Sequence, residues 1–253
     1  MQDLLVLWQH PATREIIPIG RFARLGSTYR FVYTRAAAAI EGFRPLPGLN
    51  DLTVEYVSEN IPLAFAQRVM EPDRPDFSSY ARTLGLDPAR ATPWEQIVSS
   101  GGARAGDTLQ FMQVPVVSSG RAIARFLANG VRHIPEVERN ISGRLVAVSL
   151  AQQESALRRL RAGHVLTLEE EHSNPTDKFA TLVTSDGVPV GWVPRALSAS
   201  VRELIEAGPT FVTVVRVGEP GSPAHLRLVL ELDMTAPEGF EFDRAGAWEP
   251  IVG

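Results

Sequence analysis

Short apolar runs separated by turn residues dominate the first 34 positions of the chain. Residues 4–8 (LLVLW) have the length of a buried strand, and aromatic and polar residues alternate over residues 29–33. Residues 25–27 (LGS) lie between two such runs and are typical of a turn. The pattern therefore predicts three strands joined by turns.

Helical signals replace this pattern between residues 60 and 102. Thr92, Pro93 and Glu95 occupy the N-cap, first and third positions of a predicted helix. The pair Gly101-Gly102 is expected to end that helix. Further helices are predicted over 36–41, 60–70 and 78–84, and a strand is predicted over 108–114.

Strands predominate again after residues 115–120 (PVVSSG), which read as a linker. Ser185-Asp186-Gly187 predicts a hairpin turn between two apolar runs. The triple glutamate 169–171 is interpreted as the solvated entrance to a loop. Strands are predicted over 123–126 and 130–134, two segments that a bulge would join into one strand, and over 145–149, 165–168, 180–183, 188–193, 211–217 and 226–232. Helices are predicted over 151–161 and 198–207.

The composition narrows the class of protein. Apolar residues make up 44% of the chain and charged residues 21%, which is ordinary for a folded domain. Cysteine is absent, which excludes disulfides, thiolate nucleophiles and sulfur-based zinc sites. No apolar run is long enough to cross a membrane, and the start Met1-Gln2-Asp3 lacks a basic region. These features predict a cytoplasmic bacterial protein.

The charge pattern limits how the chain can bind nucleic acid. The net charge is −4, and residues 120–235 carry 13 basic and 13 acidic side chains. A protein that coats duplex DNA usually has a basic excess. Any nucleic-acid site is therefore expected to be a small local pocket.

No enzyme motif emerges from the sequence. The five histidines show no H-x-x-x-H or H-E-x-x-H spacing, and G-x-S-x-G is absent. The glycine-rich segment 99–107 lacks the lysine and hydroxyl of a P-loop. We therefore predict a non-catalytic protein without metal or cofactor. The competing hypothesis is a nuclease or hydrolase that uses Glu169, Glu171, His172 and Asp177.

A spaced pattern between residues 160 and 197 carries a family resemblance. Its members are Gly163, Asn174-Pro175-Thr176-Asp177, Ala180 and Gly191-Trp192-Val193-Pro194-Arg195. The pattern resembles the HIRAN domain, a small β-barrel module of bacterial proteins and eukaryotic DNA-remodelling helicases. We expect the resemblance to extend over roughly residues 120–233.

The HIRAN resemblance implies binding to the 3′ end of single-stranded DNA. It implies that Asp177 accepts a hydrogen bond from a terminal sugar hydroxyl and that Asn174 reads or positions a base edge. In the family, an arginine–aromatic pair follows the first strand. The resemblance places this pair at Arg132 and His133, and residues 143–149 are an alternative position for that first strand. The implied nucleic-acid-binding residues are Arg132, His133, Asn174, Thr176, Asp177, Lys178, Trp192 and Arg195.

Two features of the turn argue for weaker binding or for none. Thr176 stands where the family has an aromatic side chain, and each lost base-stacking platform removes roughly 1–3 kcal/mol. Phe179, Trp192 or His133 would have to take over the stacking. The alternative interpretation is a purely structural turn, because Asn and Asp commonly bond their own backbone.

The N-terminal part resembles a different family. The residues that carry this resemblance are Ile19-Gly20, 29–33 (YRFVY), 42–47 (GFRPLP) and 63–68 (LAFAQR). They are similar to the first N-terminal subdomain of HipA-type serine/threonine kinases. That resemblance implies an antitoxin-like protein that restrains such a kinase through the loop 43–49. The implied partner-binding residues are Phe43, Arg44, Pro45, Leu46 and Pro47.

Together these observations predict an α+β protein. A mixed α/β interaction domain over 1–117 precedes a small HIRAN-like β-barrel with inserted helices over 118–235, and an acidic tail follows over 236–253. The predicted function is non-catalytic binding of single-stranded DNA or DNA ends. The alternative is the antitoxin-like role.

Overall fold

The computed structural model describes residues 3–103, 108–172, 174–208 and 210–251. The chain divides into two compact units: residues 1–114 with 243–253, and residues 115–242. Both are mixed α/β and mostly sheet. Part of the glycine-rich segment, residues 104–107, lies outside the described residues. Within the described residues, every helix is too short or too polar to cross a bilayer.

The first unit is built on a five-stranded antiparallel sheet with the order β4-β3-β2-β1-β5. The three strands and the turn predicted for the first 34 residues are confirmed, with Gly26 in the left-handed conformation of the turn. The elements are β1 (Asp3–Gln9), β2 (Ile16–Leu25), β3 (Thr28–Tyr33), α1 (Arg35–Ala38), β4 (Tyr56–Ser58), α2 (Leu63–Ala66), α3 (Phe77–Thr83), α4 (Pro93–Ser100) and β5 (Leu109–Gln113).

The best-predicted helix is α4. The Thr92 hydroxyl accepts from the backbone N–H of Glu95, whose carboxylate accepts from the N–H of Thr92 at 2.8 Å. Gly101 adopts the left-handed conformation just after the helix. Both signals are confirmed. The helix predicted over 60–70 is much shorter than expected, since only the four residues of α2 are helical.

The segment that carries the predicted partner-binding residues is fastened to the core by one tyrosine. The buried Tyr33 hydroxyl accepts from the N–H of Leu46 at 2.7 Å and donates to the carbonyl of Leu49 at 2.8 Å. Phe43 packs edge-on against Tyr33 with ring centroids 5.9 Å apart. A proline-rich stretch without regular structure thereby acquires a fixed conformation.

The acidic C-terminal segment is divided between the units. Residues 236–242 belong to the second unit and the remainder to the first. There Thr34 and Pro250 form a β-bridge, and the N–H of Arg35 donates to the Glu249 carbonyl at 2.9 Å. The side chains of Arg35 and Glu249 also form an ion pair.

The second unit contains a nine-stranded antiparallel sheet. Its main path follows the order β12-β11-β10-β13-β14-β7-β6, and β8 and β9 branch from β10. The elements are β6 (Val116–Ser118), β7 (Arg121–Leu127), β8 (Arg139–Ile141), β9 (Arg144–Val146), α5 (Leu150–Arg159), β10 (Val165–His172), β11 (Thr181–Ser185), β12 (Val188–Trp192), α6 (Arg195–Ala207), β13 (Phe211–Val217) and β14 (Leu228–Thr235).

This sheet is a curled half-barrel, whereas the sequence predicted a barrel. Beyond the strand pairs, a single isolated bridge is described between its two sides, and it joins Asn129 to Trp192 through two backbone hydrogen bonds of 2.9 Å. Gly130 follows at once with a φ of +65°. The chain therefore turns away instead of extending the pairing into a full ladder.

Three local predictions for this unit are wrong. Residues 116–118, inside the predicted linker, form strand β6 and pair with β7. Residues 131–133 form a short 3-10 helix and not a strand, because the left-handed Gly130 redirects the backbone. The triple glutamate is not a loop entrance: Glu169, Glu170 and Glu171 all lie within β10. The predicted hairpin is confirmed, with Asp186 and Gly187 both at positive φ between β11 and β12.

Candidate nucleic-acid interface

A buried carboxylate organises one end of the second unit. Along β10, Leu166 and Leu168 are buried in alternation, and continuing that alternation would bury Glu170. Instead Glu171 is buried, at the point where the strand also leaves β11 and begins to pair with β8. The change of partner coincides with the change of buried face, so Glu171 points inward with a side chain only 4% exposed.

Three side chains donate to the Glu171 carboxylate. Arg139 Nη1 reaches Oε1 at 2.8 Å, and Trp192 Nε1 and Asn174 Nδ2 reach Oε2 at 2.7 and 2.5 Å. A buried carboxylate requires both a charge partner and hydrogen bonds. Glu171 has both, so it joins three separate segments of the chain. We call Glu171, Arg139, Asn174 and Trp192 the Glu171 cluster.

The turn after β10 is closed by its own side chains. Asn174 Oδ1 accepts from the backbone N–H groups of Thr176 and Asp177 at 2.9 and 3.0 Å. Asp177 Oδ1 accepts from the N–H of Phe179 at 2.9 Å. The oxygen of Asn174 is thus used by the turn, and one N–H of its amide binds Glu171. Asn174 shapes the turn, which fits the structural alternative for this residue better than base reading.

Trp192 is held on several sides. Its indole donates to Glu171, and its backbone pairs with Asn129. Gly130 lies against the ring, so closely that a Cβ there would come within 2.5 Å of Cε3. Trp192 is only half-buried, so a ring fixed by these contacts still reaches the surface.

The arginine joined to the turn is Arg139. Its guanidinium lies 4.5 Å from the centre of the Trp192 ring and binds Glu171, with its side chain 13% exposed. Its Nη2 also donates to the carbonyl of His133 at 2.5 Å. The role was predicted for Arg132, which is exposed and whose Nε lies 3.1 Å from His133 Nε2. Neither Arg132 nor residues 143–149, the alternative for the first strand, contribute a side chain to the Glu171 cluster.

Exposed side chains lie on the segments that carry the Glu171 cluster or contact it. Lys178 Nζ lies 4.8 Å from the ring centre of Phe179, which is 37% exposed. Because Arg139 bonds both His133 and Glu171, the 3-10 helix and the turn are tied to one another. Asp177 and Arg195 are half-buried, and Arg195 begins α6 after Trp192. We call the exposed set the turn face: Arg132, His133, Thr176, Lys178 and Phe179.

The predicted partner-binding residues divide by exposure. Leu46 is 8% exposed and belongs to the core of the first unit, and Phe43 packs against that core. Pro45 is half-buried, whereas Arg44 and Pro47 are exposed. Arg44 and Pro47 are therefore the solvent-exposed members of this set.

Sequence reasoning missed Arg139 as a site residue and considered Glu171 only as a candidate catalytic or cation-binding carboxylate or as part of a solvated loop entrance. Buried and exposed residues alternate along β10 up to Leu168, but this alternation shifts by one residue before Glu171. The sequence pattern therefore gives no sign that Glu171 is buried. The other glutamates are also paired, Glu169 with Arg144 at 2.5 Å and Glu170 with Arg202 at 2.6 Å. In the described part of the chain, no cluster of three or more acidic or histidine side chains could hold a metal ion.

Comparison with models of protein families matches residues 138–234 to the HIRAN domain. HIRAN domains are a family of nucleic-acid-binding domains, which supports a DNA-binding role for this unit. The matched residues include the whole Glu171 cluster and exclude Arg132 and His133. No curated protein and no solved structure matches the chain. The resemblance of residues 19–68 to a HipA-type subdomain stays a prediction.

Proposed function

We propose that the second unit binds single-stranded DNA at the turn face and favours a free 3′ end. The observation that carries this proposal is the Glu171 cluster. It fixes the turn, an arginine and a tryptophan in one arrangement beneath exposed basic and aromatic side chains. A preorganised site of this kind loses little conformational entropy when a ligand binds.

Each exposed group has a distinct role in this proposal. The Phe179 ring offers a stacking platform for a base, and Lys178 beside it attracts the backbone phosphate. Asp177 Oδ1 is used by the turn, while Oδ2 has no hydrogen-bond donor among the described residues. That oxygen is the acceptor for a terminal sugar hydroxyl. Asn174 and Arg139 act as positioning residues.

Stacking and hydrogen bonding carry more of this binding than charge does. Residues 120–235 are neutral overall, so few phosphates can be neutralised. Affinity should therefore decline only gently as salt increases. Thr176 supplies no ring, which leaves Phe179 and His133 as the exposed rings of the turn face and predicts modest affinity.

The test compares two strands of equal sequence, one ending in a 3′ hydroxyl and one in a 3′ phosphate. Fluorescence anisotropy of the full chain should show tighter binding of the hydroxyl strand. Asp177→Asn keeps an oxygen for the Phe179 N–H but removes the carboxylate, so it should abolish the preference. Asp186→Asn is the matched control, because Asp186 is exposed in the β11–β12 turn.

Three outcomes would reject the proposal. The first is no binding of either strand, and the second is equal binding of both strands by the unaltered chain. The third is an equal loss of preference in Asp177→Asn and Asp186→Asn.

A second function rests on the first unit. The segment 43–49 is held in a fixed conformation by the Tyr33 hydroxyl and presents Arg44 and Pro47. Such a segment suits recognition by a partner protein, because its ordering precedes binding. The HipA-type resemblance names the partner as a serine/threonine kinase, and the chain would then act as its antitoxin.

Co-expression with a HipA-type kinase from the same gene neighbourhood tests this second function. The two proteins should copurify, and the double variant Arg44→Ala/Pro47→Ala should weaken the complex without unfolding the chain. Recovery of both proteins as separate species would reject it.

A further inference from the structure

An arginine-lined cavity lies at the other end of β10 from the turn face. It has a volume of about 600 Å³ and lies between the end of α5, the residues that follow it, and the connection from β13 to β14. β10 is eight residues long, which at about 3.3 Å per residue separates the two places by roughly 25 Å. The cavity is therefore distinct from the Glu171 cluster.

The charges lining this cavity are unbalanced. Four arginines line it, against the single carboxylate of Glu219. Glu154, which lies outside the lining, forms an ion pair with Arg227 through contacts of 2.7 and 3.0 Å. A positive excess remains in a concave, partly desolvated space, where electrostatic interactions are stronger than in open water. The four arginines are Arg158, Arg161, Arg216 and Arg227.

Two of the arginines are withdrawn from water. Arg227 has a side chain 6% exposed, and its buried Nε has no hydrogen-bond partner among the described residues. Burial also lowers the pKa of the Arg216 guanidinium. Burying a positive charge is unfavourable, and so is burying the Arg227 N–H without an acceptor. An anion in the cavity would offset both effects.

The remaining two arginines supply accessible donors. Arg158 and Arg161 are exposed at the end of α5. Arg161 Nη1 donates to the carbonyls of Arg158 and Leu160 at 2.7 and 2.6 Å, which holds its guanidinium beside the cavity. The planar guanidinium fork matches the geometry of phosphate oxygens.

We propose that this cavity is a phosphate-binding site that takes the phosphate group of a nucleotide. The group could belong to a free nucleotide or to the backbone of a nucleic-acid strand, and the chemistry of recognition is the same for both. The proposal does not depend on DNA-end binding at the turn face.

Isothermal titration calorimetry with three probes tests this proposal: inorganic phosphate, thymidine monophosphate and a short oligothymidylate. The full chain should bind at least one of them. Arg158→Gln should weaken that binding by about tenfold, the loss expected for one charge-assisted hydrogen bond. Arg159→Gln is the matched control, since Arg159 is the next residue, is equally exposed and does not line the cavity. Its effect should be less than about twofold.

The probes separate the two sources of phosphate. Binding of thymidine monophosphate with the Arg158 dependence indicates a free nucleotide, and the same dependence for the oligonucleotide alone indicates a strand backbone. Arg161→Gln, with its melting temperature measured, provides a second variant. Failure to bind any probe, or equal losses in the Arg158 and Arg159 variants, would overturn the proposal. Asp177→Asn should leave binding of inorganic phosphate and thymidine monophosphate unchanged, so the two sites can fail separately.

Discussion

The indole of Trp192 donates a hydrogen bond of 2.7 Å to a Glu171 oxygen that also accepts from Asn174. One buried carboxylate therefore couples the end of β12 to the turn after β10. Arg139 completes the arrangement by binding the other oxygen and covering the Trp192 ring. The geometry of the proposed DNA site depends on this cluster more than on the exposed residues.

Glu171 should be important for the stability of the second unit. Glu171→Gln leaves the buried Arg139 guanidinium without its counter-charge, and we expect a loss of about 3 kcal/mol in the free energy of unfolding. Urea titration followed by circular dichroism measures this loss. Glu231→Gln removes a carboxylate from the exposed pair with Arg125 and should lose less than about 1 kcal/mol. Equal losses in the two variants would show that the cluster has no special role.

Glycine should be needed at position 130 for two reasons: the positive φ of the backbone and the Trp192 ring that packs against it. Gly130→Ala places a methyl group 2.5 Å from Trp192 Cε3 at a φ of +65°. Gly120→Ala has a similar φ of +72° but open space around it. The alanine at 130 should therefore destabilise the chain by about 1–3 kcal/mol more than the alanine at 120, as measured by urea titration. Similar losses would mean that the ring moves aside freely.

Phe179 should contribute to DNA affinity through stacking. Phe179→Ala should weaken binding of single-stranded DNA by about tenfold, equivalent to roughly 1.4 kcal/mol. Phe211→Ala is the matched control, because Phe211 is 46% exposed on β13 and is not part of the turn face. Fluorescence anisotropy measures both. An unchanged affinity in Phe179→Ala would show that stacking on this ring does not contribute to DNA binding.

Tyr33 should make the chain sensitive to alkali. Burial raises the pKa of Tyr33 to about 12, from an ordinary value of 10.0. A folded-state pKa above the unfolded value gives stability that is complete below pH 10.0 and is lost as the pH rises towards about 12. The free energy of unfolding should therefore decline by up to roughly 1.4 kcal/mol per pH unit in that window. Tyr33→Phe should show a shallower decline, and an identical pH profile would contradict this origin.

The local chemistry of the sequence predicted much of the fold. The capping box of Thr92 and Glu95 and the turn at Asp186-Gly187 are set by contacts between near neighbours, so a linear pattern reveals them. The spaced HIRAN pattern is also matched by comparison with protein families. These features need no knowledge of distant parts of the chain.

The features that the sequence did not predict depend on contacts between distant segments. Arg139 and Glu171 are 32 residues apart, and nothing near either one marks them as a pair. Gly130 was predicted to begin a strand, but it is left-handed and lies against the Trp192 ring, and the chain changes direction there. The fixed conformation of the segment 43–49 likewise comes from a distant group, the hydroxyl of Tyr33 in β3.

The most direct test of the central claim is to locate where a DNA end lies. A single strand with a photoreactive thymidine at its 3′ terminus is cross-linked to the full chain, and the attached residues are mapped by mass spectrometry. Cross-links are expected on the turn face, at Thr176, Lys178, Phe179 or His133. Cross-links confined to the arginine-lined cavity or to residues 3–103 would contradict the claim.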